Sequence, residues 1–153
     1  MKNLLTVLVC CVSLNLCAQE SEKIAVQKTI ESFFEGFHNQ DSLQIKATVS
    51  ETIIMQTISN DEAGKSSVKT QDFSEFLRAI TGIPKTTEFR EVIKSYAIQI
   101  DGPMANAWTP YEFQLNNAFH HCGVNSFQLF KDNLEGWQII YLIDTRRKSE
   151  CDL

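Results

Sequence analysis

Three consecutive strand-like segments decide the fold of this chain: Trp-Thr-Pro-Tyr-Glu-Phe at residues 108–113, His-Cys-Gly-Val-Asn-Ser-Phe at 121–127, and the run from Trp137 to Arg147. Each segment sets polar or ionisable side chains among large apolar ones. A buried polar group needs a hydrogen-bonding partner, so such strands suit a plain core poorly. They suit a sheet that lines a small-molecule cavity, where a few polar groups interrupt apolar walls. The sequence therefore predicts a scaffold with a pocket.

Helices precede these strands. Apolar residues recur at helical spacing over residues 21–38, and shorter helices are predicted at 41–48 and 72–82. Patterns typical of strands occupy residues 50–59, 66–70, 86–100, 105–115, 118–131 and 137–145. Helices followed by an antiparallel meander indicate a single α+β domain.

A two-residue turn at Asn116-Asn117 predicts which strand residues share a face. In a regular ladder it places Leu115 opposite Ala118 and Glu112 opposite His121. A turn near Leu134 extends this face into the last strand. The face is predicted to point at the first helix and gathers Trp108, Glu112, His121, Asn125, Phe127, Ile139, Tyr141 and Ile143. The other face gathers Tyr111, Phe113, Cys122, Val124, Ser126, Leu142, Asp144 and Arg146, and a slip of one residue would exchange the faces.

Glu112 and His121 form the sharpest chemical candidate. A carboxylate beside an imidazole raises the pKa of the His and lowers its own, which could make His121 a general base oriented by Glu112. The alternative is a cross-strand polar pair that contributes about 1 kcal/mol or less. The neighbouring residues are either ligand contacts or parts of an ordinary core: Trp108, Asn125, Phe127, Tyr141 and Phe34.

Asp144 and Arg146 also allow two interpretations. Two residues apart on one strand, they could form an exposed ion pair of little energetic weight. With Arg147 and Lys148 they could instead grip an anionic group.

The first eighteen residues are typical of a signal peptide. Lys2 supplies the positive charge, residues 4–16 an apolar stretch, and Leu16-Cys17-Ala18 a cleavage site before Gln19. The stretch is too short for a membrane span. We therefore expect a signal peptide at 1–18, a domain at 19–153, and a periplasmic or secreted protein. Lipidation of Cys17 would anchor the chain instead, although the bulky Leu16 disfavours it, and an uncleaved segment is the third alternative.

Charge disfavours nucleic acid as a partner. The chain has 14 Lys and Arg against 19 Asp and Glu, and removing residues 1–18 takes away one Lys, so 13 − 19 leaves −6. Phosphate binding needs basic patches, and Arg146-Arg147-Lys148 is the one basic cluster.

Two cysteines, Cys122 and Cys151, remain after residue 18. Export would permit a disulfide between them, and a buried thiol with a free tail thiol is the alternative. His120 and His121 are adjacent and should point to opposite faces, so no metal site or other cofactor is predicted.

With these motifs in place, the chain resembles the nuclear transport factor 2-like superfamily, which includes SnoaL-type cyclases and ketosteroid isomerase. The resemblance rests on Phe-Phe-Glu-Gly-Phe-His at residues 33–38, the two motifs at 108–113 and 121–127, and Asp-Thr-Arg-Arg at 144–147. It is greatest to an exported bacterial branch often given a lumazine-binding label. The resemblance implies a cystatin-like cone, in which a strongly bent antiparallel sheet wraps the N-terminal helices around a pocket. It also implies a homodimer formed through the sheet.

Two functions follow from the residues. The first is non-catalytic binding of a small apolar or aromatic ligand by Trp108, Glu112, His121, Asn125 and Tyr141. The second is an isomerase, cyclase or dehydratase that uses the His121–Glu112 pair. A third interpretation makes the sheet face with Tyr111, Phe113 and Leu142 a docking surface for a partner.

Overall fold

Three helices and seven strands make up the fold of the computed structural model, which describes residues 2–61 and 63–151, with side chains from Gln19 onward. The elements are α1 (Lys2–Asn39), α2 (Ser42–Ala47), β1 (Val49–Asn60), β2 (Ser66–Gln71), α3 (Phe73–Thr81), β3 (Phe89–Ile93), β4 (Ala97–Asp101), β5 (Met104–Leu115), β6 (Ala118–Asp132) and β7 (Gly136–Thr145). The side chains of the predicted signal peptide, Cys17 included, lie outside the described residues. No helix in the described part is long and apolar enough to cross a membrane.

Side-chain caps fix where the two short helices begin. Asp41 accepts hydrogen bonds from the backbone N–H groups of Leu43 and Gln44 at 2.9 and 3.1 Å. Asp72 accepts one from the backbone N–H of Glu75 at 2.9 Å. Both are N-caps, which satisfy donors that the first turn leaves free. The two aspartates therefore start helices where the sequence predicted them.

The strands form one sheet that curls around α1. Their order is β2-β1-β7-β6-β5-β3, with β4 pairing β5, and every pairing is antiparallel except that of β1 with β7. Apolar residues on one stripe of α1 pack against the concave face of the sheet. The fully buried centre comprises Val26, Ile30, Ile45, Phe127, Leu129 and Ile139. This mixed arrangement confirms the predicted α+β fold class.

The strand register differs from the prediction because each hairpin contains a bulge. Leu115 pairs with Ala118 as predicted, but the ladder resumes with Phe113 opposite His121, so His120 is an extra residue. In the next hairpin Leu129 pairs with Ile139 and Gln128 with Tyr141, so Ile140 is extra. An extra residue shifts the register by one, and alternation then exchanges the faces of the sheet.

The predicted pairing of Glu112 with His121 is therefore wrong, and so is part of each predicted face. His121, Asn125 and Phe127 lie on the concave side as predicted. Four predicted members of that face lie on the convex side instead: Trp108, Glu112, Tyr141 and Ile143. Five residues predicted for the convex side lie on the concave side: Tyr111, Phe113, Leu142, Asp144 and Arg146.

The C-terminal segment continues the antiparallel pairing of β7 along β6. Cys122 and Arg147 exchange two backbone hydrogen bonds of 2.9 Å, and Cys122 forms a disulfide with Cys151. A β-carbon at Gly123 would lie 1.7 Å from the carbonyl oxygen of Thr145. Only glycine permits so close a backbone approach. This close pairing fixes the place of Asp144 and Arg146, which flank Thr145.

Candidate functional site

A small cavity lies between the aromatic side of α1 and the concave sheet. Its volume is about 70 Å³. Its apolar walls are Phe33, Phe34, Phe37, Met55, Phe76 and Leu142, and its polar lining is Gln56, Thr57, Gln71, Glu91, Asn125, Asp144 and Arg146. We call this space the inner cavity.

Four polar side chains form a row across four neighbouring strands on the concave face. Thr57 on β1 pairs with Asp144 on β7, which pairs with Asn125 on β6, which pairs with Thr109 on β5. The Thr109 hydroxyl is fully buried and has no hydrogen-bond partner among the described residues. Buried polar groups weaken a core unless they are paired, so a row of them at one level distinguishes this site from ordinary packing.

Asp144 accepts hydrogen bonds from three side chains. Its carboxylate accepts hydrogen bonds from the Thr57 hydroxyl at 2.5 Å, the Arg146 Nε at 2.7 Å and the Tyr111 hydroxyl at 3.3 Å. Tyr111 also donates to the carbonyl oxygen of Thr145 at 3.0 Å. Burial raises the pKa of Tyr111, and the carboxyls of Glu91 and Asp144 raise it further. The phenol therefore stays protonated and acts as a donor.

Glu91 enters the cavity from β3. Phe89, Glu91 and Ile93 alternate toward the concave side, so the strand carries a carboxyl where its pattern calls for an apolar residue. Asn125 Nδ2 donates to Glu91 Oε1 at 2.6 Å. Burial raises the pKa of Glu91 to about 8, against the opposing effect of the Asn125 hydrogen bond. At neutral pH most Glu91 carboxyls are uncharged.

His38 at the end of α1 holds β3 in place. Its Nε2 accepts a hydrogen bond from the backbone N–H of Glu91 at 2.9 Å. Burial, together with the nearby charge of Arg90, lowers the pKa of His38 to about 4. The ring is therefore neutral at pH 7, as an acceptor nitrogen requires.

A second space of about 500 Å³ adjoins the inner cavity, and we call it the outer groove. Five residues line both spaces: Phe37, Gln71, Phe76, Glu91 and Arg146. The remaining walls come from α3 and the segment after it, and from the ends of β3, β5 and β6. Glu91 and Arg146 therefore line both the inner cavity and the outer groove.

His120 and His121 lie side by side at the outer groove. Their Nδ1 atoms are 2.8 Å apart, so the expectation that they point to opposite faces is wrong. The bulge at His120 interrupts the alternation and is the reason. Burial, together with the charge of Arg146, lowers the pKa of His121 to about 4. Among the described residues no group of three His, Cys, Asp or Glu side chains could hold a metal ion.

The predicted site residues are distributed over four places. Phe34 and Asn125 line the inner cavity, His121 lines the outer groove, and Phe127 is buried in the core. The other three lie on the convex side. There Glu112 pairs with Lys94 at 3.0 Å, Tyr141 donates to Gln56 at 2.6 Å, and Trp108 is 54% exposed. The structure does not form the predicted His121–Glu112 acid–base pair.

Sequence reasoning placed none of the three ionisable groups of the inner cavity in the pocket: Glu91, Asp144 and Arg146. One signal could have found the first, because Glu91 occupies an inward position between Phe89 and Ile93. The other two were assigned to the wrong face. Their true position depends on the bulge at Ile140, which no turn motif in the sequence reveals.

The chain is similar in fold to many solved structures. A nuclear transport factor 2-like protein of unknown function from Shewanella baltica OS155 has a TM-score of 0.60 and 16% identity, and the match covers 84% of this chain and 96% of that one. A nuclear transport factor 2-like superfamily protein from Salmonella enterica has a TM-score of 0.65 and 15% identity, with coverage of 86% and 95%. A protein of unknown function with a cystatin-like fold from Nostoc punctiforme has a TM-score of 0.63 and 15% identity, with coverage of 83% and 92%.

Sequence comparison adds no assignment to this structural likeness. No family model matches the chain, and no curated protein matches it. The structural neighbours are below 25% identity, so they establish the architecture alone. The chain has the cystatin-like fold seen in nuclear transport factor 2-like proteins.

Proposed function

We propose that this protein binds a small molecule in the inner cavity and the outer groove. The observation that carries the proposal is the polar row Thr57–Asp144–Asn125–Thr109 together with Glu91, inside an interior that is otherwise aromatic. An unpaired polar group such as the Thr109 hydroxyl lowers stability in an apolar interior, and departures of this kind are expected at functional sites. Membership in the exported branch with the lumazine-binding label stays a prediction.

Substitution of Asn125 tests the binding proposal. Asn125→Leu keeps the size of the side chain but removes the hydrogen bond to Glu91 and the polar centre of the row. The matched control is Gln128→Leu on the convex side of the same strand. In a metabolite screen by thermal shift, we expect wild type and the control to share at least one ligand that Asn125→Leu loses. A ligand that binds all three proteins equally would contradict the proposal.

A second candidate function is acid–base catalysis with Glu91 as the proton-transferring group. It is favoured by one observation: burial places the pKa of Glu91 at about 8, near the pH at which a carboxyl can both give and take a proton. This candidate replaces the predicted His121–Glu112 pair. If it is right, Glu91→Gln should abolish turnover of any bound metabolite and still bind it. Turnover by Glu91→Gln at the wild-type rate would reject it.

We propose that residues 1–18 are a signal peptide and that residues 19–153 form the exported domain. The Cys122–Cys151 disulfide supports this, since such bonds persist in oxidising compartments such as the periplasm. Mass spectrometry of protein from its native cells should find an N-terminus at Gln19. A diacylglyceryl group on Cys17 would identify the lipid-anchored alternative instead.

We further propose that the protein is a homodimer formed through the convex side of its sheet. Met104 pairs with Phe130 there, Trp108 lies on the same side of β5, and all three are exposed. This corrects the predicted docking surface, because Tyr111, Phe113 and Leu142 lie on the concave side. Large exposed apolar side chains on one face favour association.

A further inference from the structure

The two adjoining spaces differ in what they can hold. A cavity of about 150 Å³ accepts benzene, so the inner cavity, at about 70 Å³, is too small for a six-membered ring. It has room for a group of a few heavy atoms. The outer groove, at about 500 Å³, has room for a ring or a longer apolar body. Any ligand that reaches Asn125 must therefore be narrow at one end.

The residues shared by the two spaces define the passage between them. Phe37 and Phe76 are apolar and largely buried, whereas Gln71 is exposed at the end of β2. Glu91 and Arg146 line the same passage. A ligand that spans both spaces would pack its body on the phenylalanines and bring its narrow end to the polar lining.

The hydrogen-bonding groups of the inner cavity determine the chemistry of that narrow end. The Asn125 Nδ2 is engaged by Glu91, which leaves the Asn125 carbonyl oxygen as an acceptor. Arg146 donates from its Nε to Asp144 and from one terminal nitrogen to the Thr57 hydroxyl at 3.5 Å, which leaves further guanidinium N–H groups as donors. Both residues line the inner cavity, so a group that carries a carbonyl oxygen next to an N–H can use the donor and the acceptor together.

The charges of the lining favour an uncharged group. Asp144 and Arg146 compensate each other at 2.7 Å, and burial holds Glu91 largely protonated at neutral pH. No unpaired counter-charge is left among the described residues of the inner cavity for an ionic ligand group. A charged group would lose its hydration without compensation, at a cost of several kcal/mol.

We infer that the site takes a ligand of two parts: a ring-sized apolar body in the outer groove, and a small uncharged head of the carboxamide type, with a carbonyl next to an N–H, at Asn125 and Arg146. The inference rests on the proposed binding function and specifies its ligand class. It predicts that, among ligands with the same apolar body, an amide binds more tightly than a carboxylate or an amine.

Three probes with the same benzyl body test this inference: phenylacetamide, phenylacetate and 2-phenylethylamine. Their affinities for the protein are measured by titration calorimetry at pH 7. Phenylacetamide should bind at least about tenfold more tightly than either charged probe, because each charged head leaves a desolvated charge unpaired. Asn125→Leu should lower the phenylacetamide affinity by about tenfold, and Gln128→Leu should leave it unchanged.

A second variant keeps the test valid if Asn125→Leu folds poorly. Gln71→Trp changes an exposed residue and should close the passage between the two spaces, so it should abolish phenylacetamide binding. Its control is Val68→Trp, on the opposite side of the same exposed strand. Binding that survives Gln71→Trp would place the probe elsewhere and overturn the inference.

The outcomes separate the ligand class from the binding function. If a charged probe binds as tightly as phenylacetamide and loses affinity in Asn125→Leu, the site binds ligands but the uncharged head is wrong. If no probe binds while a screened metabolite does, the two-part ligand is wrong and the binding function stands. If neither probes nor metabolites bind, both proposals fail.

Discussion

At the scale of single residues, Glu91 couples the site to the stability of the fold. Its carboxyl is faced by Asn125, by Asp144 and Arg146, and by Tyr111, while His38 accepts a hydrogen bond from its backbone. Burial raises the pKa from 4.5 to about 8. Between these two values the folded state binds a proton that the unfolded state has lost, so stability falls as pH rises.

We therefore predict that Glu91→Gln gains stability relative to wild type as the pH rises from 5 to 8. The amide resembles the protonated carboxyl and does not ionise. In wild type, ionisation of Glu91 should lower the free energy of unfolding by about 1.4 kcal/mol per pH unit, and the variant should lack this decrease. Urea unfolding at several pH values measures this difference. A constant difference between the two proteins across this range would show that Glu91 ionises freely in the folded state.

The buried imidazoles supply an internal control for that experiment. The pKa of His38 and that of His121 fall from 6.5 to about 4 on folding. Between pH 4 and 6.5 the unfolded chain therefore binds more protons at these sites, and stability rises with pH. This rise should remain in Glu91→Gln, because the substitution removes neither ring.

At the scale of elements, the two bulges decide which strand residues reach the interior. The sequence predicted the two short helices, the Asn116-Asn117 turn and the pairs next to it, because each depends on local chemistry. It failed for Glu112, Asp144 and Arg146, because their faces depend on an extra residue several positions away. Local sequence preferences do not reveal where a bulge lies. The candidate site was therefore predicted less well than the fold.

Deletion of His120 tests the role of the first bulge. Phe119 already pairs with Gln114 and His121 with Phe113, so removing the residue between them should leave a regular ladder. We expect a cooperatively folded protein with a loss of about 1 kcal/mol or less in the free energy of unfolding. Circular dichroism during thermal unfolding measures it.

Deletion of Ser126 is the matched control. It lies in a regular part of the same ladder, between Asn125 and Phe127. Its removal would turn one half of the strand over and expose inward residues to solvent, so we expect an unfolded chain. Two deletions with equal effects would contradict the assignment of His120 as the extra residue.

At the scale of the whole molecule, the disulfide ties the C-terminal segment to the middle of the sheet. Cys122 and Cys151 are separated by 29 residues, and a cross-link over such a loop stabilises a fold by roughly 3–4 kcal/mol through the unfolded chain. Cys151→Ser should therefore lower the melting temperature, and a dithiol reductant should lower that of wild type to the same value. A reductant effect on Cys151→Ser itself would point to another cause.

The proposed dimer makes a prediction at the same scale. Trp108 is 54% exposed on the convex side, so Trp108→Lys should introduce a charge into the interface and leave the fold intact. Sedimentation velocity should show a dimer for wild type and a monomer for the variant. Lys69→Trp, far from that face on β2, should remain dimeric. A wild-type monomer at high concentration would reject the dimer.

The close approach of Thr145 to Gly123 makes one position of the sequence diagnostic for the whole site. A side chain at residue 123 would collide with the carbonyl of Thr145 and push the end of β7 away from β6. Asp144 and Arg146 would move with it and leave the inner cavity. A related protein with a larger residue at this place must therefore have rebuilt its interior around different polar groups, and that single residue is enough to recognise it.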